Sequence, residues 1–230
     1  MPVKHAGTRH AFGAGDTHWK KDCMLSRTGR PLAQVIFGPI ARACVKAHIS
    51  ADTVTIVGTI AGVVAALTLL PLDHLTAGAL IVAVLVIFDN LDGQIARLTG
   101  TASKWGAFLD STLDRVSDGA IMSGILIWAY LWADPGYKAW ILIGGLGALV
   151  FGSVVPYARA RAEGLGMTAS VGIAERADRL FVQLVATLLV GMELGDWIMA
   201  VAMWFLFVAA FITVIQRMLY VRAQARAGEE

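Results

Sequence analysis

Residues 53–72 read TVTIVGTIAGVVAALTLLPL, a run of 20 residues without a charged side chain. An α-helix rises about 1.5 Å per residue, so roughly 20 apolar residues cross the hydrocarbon core of a bilayer. The whole chain of 230 residues is 57% hydrophobic and 16% charged, with a mean hydropathy of +0.66. This composition excludes an ordinary soluble domain and predicts an all-α integral membrane protein. Five further uncharged runs follow, at 74–88, 119–133, 139–158, 180–192 and 197–216.

Three of the six runs have only 15, 15 and 13 residues, which is too short to span a bilayer. They reach full length if each helix continues into neighbouring residues that carry charge, as 74–98, 104–133 and 172–194. The sequence then predicts six transmembrane helices.

Flanking segments complete the predicted domain organisation. Residues 31–48 alternate apolar and basic side chains, which is typical of an interfacial amphipathic helix. We expect 1–30 to be a disordered cytoplasmic tail, 31–222 to be the membrane domain with this juxtamembrane helix included, and 223–230 to be a C-terminal tail.

The basic residues predict an orientation. Eighteen of the 19 Lys and Arg residues fall on one side of the predicted membrane, and Lys138 is the exception. The positive-inside rule places both termini in the cytoplasm of a multi-pass cell-membrane protein. The net charge of +2 is too small to indicate a nucleic-acid partner.

Four aspartates mark a candidate metal site. Asp89 and Asp92 are spaced i, i+3, and Asp110 and Asp114 are spaced i, i+4, so each pair lies on one face of its helix. The two predicted helices are neighbours, and the carboxylates should meet in a polar cavity open to the cytoplasm. Oxygen ligands without His or Cys suit Mg²⁺, Mn²⁺ or Ca²⁺, and two divalent ions would neutralise four carboxylates.

The aspartates are part of a longer pattern that resembles the signature of the CDP-alcohol phosphotransferase family. The pattern is Asp89-x2-Asp92-Gly93-x2-Ala96-Arg97-x8-Gly106-x3-Asp110-x3-Asp114. The resemblance implies a six-helix fold and transfer of a phosphatidyl-type group from a CDP-linked lipid to an alcohol, with release of CMP. It implies two metal ions, Mg²⁺ or alternatively Mn²⁺, held by the four aspartates, with Asp114 as general base.

The same resemblance implies which residues contact the CDP-linked lipid. These are Asp52, Thr53, Val54, Thr55, Gly93, Arg97 and Ser103. Either Ser50 or Asp52 would also serve as the N-cap of the first helix, and a ligand role is compatible with that position.

An arginine cluster suggests that the acceptor alcohol itself carries a phosphate. Arg176 and Arg179 stand i, i+3 at the start of the fifth predicted helix. The pattern is similar to that of actinobacterial members of the family that join inositol 1-phosphate to CDP-diacylglycerol. This similarity implies Arg159, Arg179 and Arg217 as ligands of the acceptor phosphate. For Arg115, Asp118 and Asp178, a salt-bridge collar at the membrane interface is the favoured interpretation.

The resemblance also implies a homodimer. Gly144-x3-Ala148-x3-Gly152 on the fourth helix is a face of small residues that would suit either a dimer contact or packing inside the monomer.

Three alternative functions stay open. A phosphatidylglycerophosphate synthase also uses a phosphorylated acceptor, and intramembrane prenyltransferases also bind pyrophosphate through aspartates and Mg²⁺. An ion or proton transporter would need a polar path to both faces, whereas the outer halves of the predicted helices carry no charge.

Overall fold

The structure, a computed structural model, describes residues 38–40, 42–47, 49–173 and 175–227, apart from the side chains of Asn90 and Arg97. Within these ranges the chain is helical and contains no β-strand, which confirms the predicted all-α class. The long helices are α1 (Ala51–Leu69), α2 (Leu75–Thr99), α3 (Lys104–Trp132), α4 (Pro135–Glu163), α5 (Arg176–Gly191) and α6 (Trp197–Ala227).

Four segments are long and apolar enough to cross a membrane. They are Ala51–Leu69, Leu75–Ala96, Pro135–Glu163 and Trp197–Ala227. The described chain is therefore a multi-pass membrane protein. The remaining two long helices do not meet this criterion of length and apolar composition, because α3 carries several charges in its first half and α5 has only 16 residues.

The turn between α2 and α3 is short and built from specific caps. Gly100 ends α2 with φ of 69°, the left-handed conformation that glycine adopts without strain, and its N–H bonds to the carbonyl of Ala96. Ser103 then caps α3 by accepting a hydrogen bond from the N–H of Gly106. The turn therefore brings the end of α2 and the start of α3 together, and along their length both helices pack against α1 rather than against each other.

Helix α5 begins later than the sequence predicted. Residues 172–194 were expected to be helical, but the helix runs from Arg176 to Gly191. Gly172 has φ of 147°, outside helical values, and Glu175 and Asp178 form a capping box that starts the helix at Arg176. Helix α5 is therefore only about 24 Å long.

Two predicted terminal segments can be compared only in part. The predicted tail 1–30 lies outside the described residues, as does the first part of the predicted helix 31–48, of which 38–40 and 42–46 are helical. Helix α6 continues to Ala227, so all of the described part of the expected C-terminal tail, residues 223–227, is helical.

The core lies in the half of the bundle away from the aspartates. Ile125, Ile141, Met199 and Met203 are fully buried there. Trp128 also lies in this half of the bundle, where its indole N–H donates a hydrogen bond to Asp73 over 2.7 Å.

The small residues of α4 pack within the chain. A Cβ on Gly144 would lie 3.0 Å from Trp204 of α6, and Ala148 belongs to the buried core. Gly152 is half-buried, and a Cβ there would lie 3.9 Å from Arg179 of α5. Of the two uses considered for this face, the structure shows packing inside the monomer.

Candidate active site

Three carboxylates form a cluster where α2 ends and α3 begins. Asp89 and Asp92 of α2 and Asp110 of α3 each place one oxygen within 4.8 Å of the others. These residues meet because the short turn at Gly100 joins the last turns of α2 to the first turns of α3 and both helices pack against α1. The donor set is oxygen only, which fits a hard divalent cation such as Mg²⁺ or Mn²⁺.

Helix α1 fixes one member of this triad. The hydroxyl of Thr55 donates to Oδ2 of Asp92 over 2.6 Å, and the N–H of Gly93 donates to Oδ1 of the same carboxylate. Hydrogen bonds of this kind orient a metal-ligating carboxylate. Thr55 was expected to touch the CDP-linked lipid, and the structure shows its hydroxyl bonded to a carboxylate of the triad.

Asp114, the fourth predicted ligand, faces a different partner. Among the described residues, the carboxylate cluster comprises the triad without it. Its Oδ1 instead lies 2.8 Å from Nη2 of Arg176 on α5, which also approaches Asp89 at 4.0 Å. The sequence placed Arg176 in an arginine cluster but gave no sign of this pairing, because the two residues are 62 positions apart.

A pocket of about 230 Å³ opens beside the triad at the start of α1. Four residues expected to contact the CDP-linked lipid line it, and so do two aspartates of the triad. These residues are Asp52, Thr55, Gly93, Ser103, Asp92 and Asp110.

The remaining residues expected to contact the CDP-linked lipid lie elsewhere. Thr53 and Val54 line a separate groove between α1 and α2, and the side chain of Arg97 lies outside the described part. Ser50 caps α1, since its hydroxyl accepts from the N–H of Thr53. Asp52 is therefore not the N-cap. Its carboxylate instead accepts a hydrogen bond from the indole N–H of Trp105, a contact that the sequence did not predict.

A larger cavity of about 800 Å³ runs from the triad between α2 and α5. One end is polar and is formed by the four aspartates, Glu175 and Arg176. The other end is apolar and is lined by leucine, alanine, valine and phenylalanine side chains such as Leu80, Phe181 and Leu188. This shape provides a charged site with an adjoining apolar channel.

The three arginines expected to bind the acceptor phosphate lie near one another but do not line the large cavity. Arg159 and Arg179 are close enough to Arg217 for their charges to act on its guanidinium. Arg179 and Arg217 are buried, each 7% exposed, whereas Arg159 is exposed and pairs with Glu163 at 2.9 Å.

Arg217 has structural partners in addition. Its Nε donates to the carbonyl of Val171 over 2.9 Å, and its Nη1 donates to the carbonyl of Val155. These bonds join the ends of α4 and α6 to the segment before α5. The remaining N–H groups of the guanidinium have no hydrogen bond to another described residue.

A bundle of membrane helices with a carboxylate metal site, an amphiphilic cavity and nearby arginines defines a class of protein, the metal-dependent transferases of phospholipid biosynthesis.

Comparison with known proteins gives the family. The profile of CDP-alcohol phosphatidyltransferases matches residues 48–215, and the chain belongs to this family. It is 42% identical over 194 residues to phosphatidylinositol phosphate synthase of Cutibacterium acnes, covering 81% of this chain and 92% of the relative. It is 41% identical over 193 residues to the synthase of Mycobacteroides abscessus, covering 84% of this chain and 86% of that one.

Solved structures agree with the fold. Phosphatidylinositol phosphate synthase of Mycobacterium tuberculosis with CDP-DAG bound is 40% identical and superposes with a TM-score of 0.75, covering 81% of this chain and 93% of that chain. The same protein in complex with manganese and citrate gives a TM-score of 0.76 at 40% identity, covering 80% and 88%.

Proposed function

We propose that the protein transfers the phosphatidyl group of CDP-diacylglycerol to inositol 1-phosphate, giving phosphatidylinositol phosphate and CMP. The observation that best supports this reaction is the cavity between α2 and α5, with carboxylates and arginine at one end and an apolar channel at the other. A CDP-linked lipid has the same division into a charged head and apolar chains. The relatives named phosphatidylinositol phosphate synthase support the choice of acceptor.

Asp89, Asp92 and Asp110 would hold a divalent cation, with Mg²⁺ as the proposed metal and Mn²⁺ as an alternative. A second ion would engage Asp114, whose carboxylate lines the same cavity as the triad. The bound metal supplies neutralisation of the pyrophosphate charge, which makes CMP a better leaving group.

The donor would be held at two places. The cytidine head fits the pocket that Asp52, Gly93 and Ser103 line, next to the triad. The acyl chains fit the apolar channel beside Leu184 and Leu188, where burial away from polar groups favours hydrocarbon. We propose that Thr53, Val54 and Arg97 contribute from the edges of this region.

Asp114 would act as the general base. Its carboxylate accepts the proton of the acceptor hydroxyl, whose oxygen attacks the phosphorus that carries the diacylglycerol. The bond from that phosphorus to the CMP oxygen breaks, and CMP leaves with the electron pair. Arg176 holds the carboxylate in place through the 2.8 Å ion pair.

Arg159, Arg179 and Arg217 would bind the phosphate of the acceptor. Two of the three guanidinium groups are buried, so their interaction with a phosphate is weakly screened by water. Their proximity to one another supports an acceptor that bears a phosphate rather than a neutral alcohol.

The proposal includes the arrangement in the membrane. All six long helices would span the bilayer, since α3 and α5 turn their charges toward each other through the pairs that Arg176 forms with Asp114 and Asp118. Both termini and the site would face the cytoplasm, as 18 of 19 basic residues indicate. We also propose a homodimer.

Competition between acceptors tests the substrate assignment. Purified protein would be given CDP-diacylglycerol with equal amounts of inositol 1-phosphate and glycerol 3-phosphate, and the lipid products would be identified by mass. We expect phosphatidylinositol phosphate as the main product. Phosphatidylglycerophosphate as the main product would contradict the proposal and identify the alternative transferase.

A further inference from the structure

Asp118 of α3 lies at the centre of an arginine cluster. Its Oδ1 is 3.1 Å from Nε of Arg176, and its Oδ2 is 3.5 Å from Nη2 of Arg179 and 3.6 Å from Nη2 of Arg115. The sequence favoured a salt-bridge collar at the membrane interface for this residue. The structure shows these salt bridges, and Asp118 also lines an interior cavity of about 130 Å³ together with Arg179.

The contact with Arg176 bears on the proposed general base. Arg176 uses Nε for Asp118 and Nη2 for Asp114, so one planar group bridges two carboxylates on successive turns of α3. Because a guanidinium is rigid and planar, fixing Nε also fixes the direction in which Nη2 points. Asp118 therefore determines how Arg176 meets Asp114.

The contact with Arg179 bears on the proposed acceptor site. Arg179 is buried, and among the described residues Asp118 is the only carboxylate within ion-pair distance of it. A buried guanidinium without a counter-charge is unfavourable, and it moves toward any available oxygen. Asp118 thus keeps Arg179 at the interior cavity.

The two arginines face different compartments. Arg176 lines the large cavity with Asp89 and Asp114, whereas Arg179 lines the interior cavity with Gly152 and Gln183. A single carboxylate joins them, so its removal would disturb both compartments at once.

We propose that Asp118 is a positioning residue that orients Arg176 toward the general base and Arg179 toward the acceptor phosphate. This inference rests on the proposed function, because it takes Asp114 as base and Arg179 as acceptor ligand. Asp118 contacts neither metal nor substrate and acts through the two arginines.

The charge of Asp118 can be removed with little change of shape. In Asp118→Asn, Arg115, Arg176 and Arg179 lose the carboxylate that they share and repel one another. We expect the KM for inositol 1-phosphate to rise about tenfold and kcat to fall about tenfold, since a charge-assisted hydrogen bond is lost at each arginine. The KM for CDP-diacylglycerol should change less than twofold, because Asp118 does not line the donor cavity and Arg176 keeps its ion pair with Asp114 there.

Two further variants separate positioning from a purely structural role. Asp118→Glu keeps the charge and should recover at least half of the lost acceptor affinity. Asp178→Asn is the matched control, since Asp178 lies on α5 near the same arginines, forms no ion pair with any described residue, and accepts from the N–H of Glu175 a capping bond that the amide oxygen of asparagine can also accept. We expect the control to keep all kinetic constants within twofold.

The full-length purified variants would be assayed for CMP release with each substrate varied in turn. The proposal is overturned if Asp118→Asn leaves the acceptor KM unchanged, or if it raises the KM of donor and acceptor equally. If Asp118→Asn does not fold, Asp118→Glu is compared with a folded Asp118→Ala. The proposal is overturned if the two variants have the same KM for inositol 1-phosphate. Failure of the proposed function would appear differently, as absence of turnover of inositol 1-phosphate by the unaltered protein.

Discussion

The carboxylates of the candidate site differ in the groups that they bind, and this difference decides how much of their negative charge is neutralised. Asp92 is held by a hydroxyl and a backbone N–H, whereas Asp114 is held by a guanidinium. The first arrangement leaves negative charge available for a cation. The second pairs Asp114 with a cation at the polar end of the cavity that the triad also lines.

Asp114→Asn tests the role of the base. The amide keeps the shape of the side chain but cannot accept the acceptor's proton, so we expect kcat to fall by roughly 10²- to 10⁴-fold. Binding of CDP-diacylglycerol in the presence of Mg²⁺ should persist, measured by equilibrium binding of a radiolabelled donor. A variant with full activity would refute the assignment of Asp114 as base.

Thr55→Val tests how α1 supports the metal site. Loss of the 2.6 Å hydrogen bond to Asp92 leaves that carboxylate free to rotate. We expect the Mg²⁺ concentration needed for half-maximal activity to rise about tenfold. Thr55→Ser keeps the hydroxyl and is the control; an equal shift in both variants would contradict the role of this hydrogen bond.

The helices show what a sequence pattern can and cannot predict. The six uncharged runs located all six long helices, because a membrane helix must satisfy its backbone internally and its length must match the bilayer. The start of α5 was misplaced, since the backbone angle of Gly172 and the reciprocal bonds of Glu175 and Asp178 are local features that hydropathy does not record.

The same limit applies to the candidate site. Asp89, Asp92 and Asp110 could be predicted because each pair has helical spacing and the helices adjoin in sequence. The contacts of Asp52 with Trp105 and of Asp114 with Arg176 join residues more than 50 positions apart. Such contacts depend on how helices pack, which the spacing within one helix does not determine.

The turn between α2 and α3 can be tested by one substitution. Gly100 has φ of 69° and open space around its Cα, so Gly100→Ala adds strain without a clash. We expect the free energy of unfolding to fall by about 1 kcal/mol. Thermal unfolding in detergent would measure the change.

Gly62→Ala is the matched control for that experiment. Gly62 also has open space, but it lies inside α1 with ordinary helical angles. Alanine there should be neutral or stabilising by up to about 1 kcal/mol. Equal destabilisation by both substitutions would contradict the role given to the left-handed turn.

The molecule as a whole divides into a packed core and a polar end. The largest buried side chains, such as Ile125 and Met203, lie away from the aspartates, while the charged residues of α2, α3 and α5 meet at the opposite end. The candidate active site therefore lies at the polar end, and the packed core stabilises the rest of the helical bundle.

The proposed orientation predicts labelling from opposite sides. With Cys23 and Cys44 replaced by serine, Leu194→Cys near the start of α6 should react with a membrane-impermeant maleimide added outside intact cells. Arg222→Cys should react only after permeabilisation, because it lies at the end of the bundle with the aspartates. The reverse pattern would place the site on the outer face.

The central claim is a metal-dependent transfer between two phosphate-bearing substrates, and stoichiometric product formation tests it most directly. Purified protein would be mixed with CDP-diacylglycerol, inositol 1-phosphate and Mg²⁺, and both CMP and phosphatidylinositol phosphate would be quantified. We predict equal amounts of the two products, with neither formed when the acceptor is omitted or when EDTA removes the metal. Release of CMP without the acceptor, or transfer that persists in EDTA, would contradict the account.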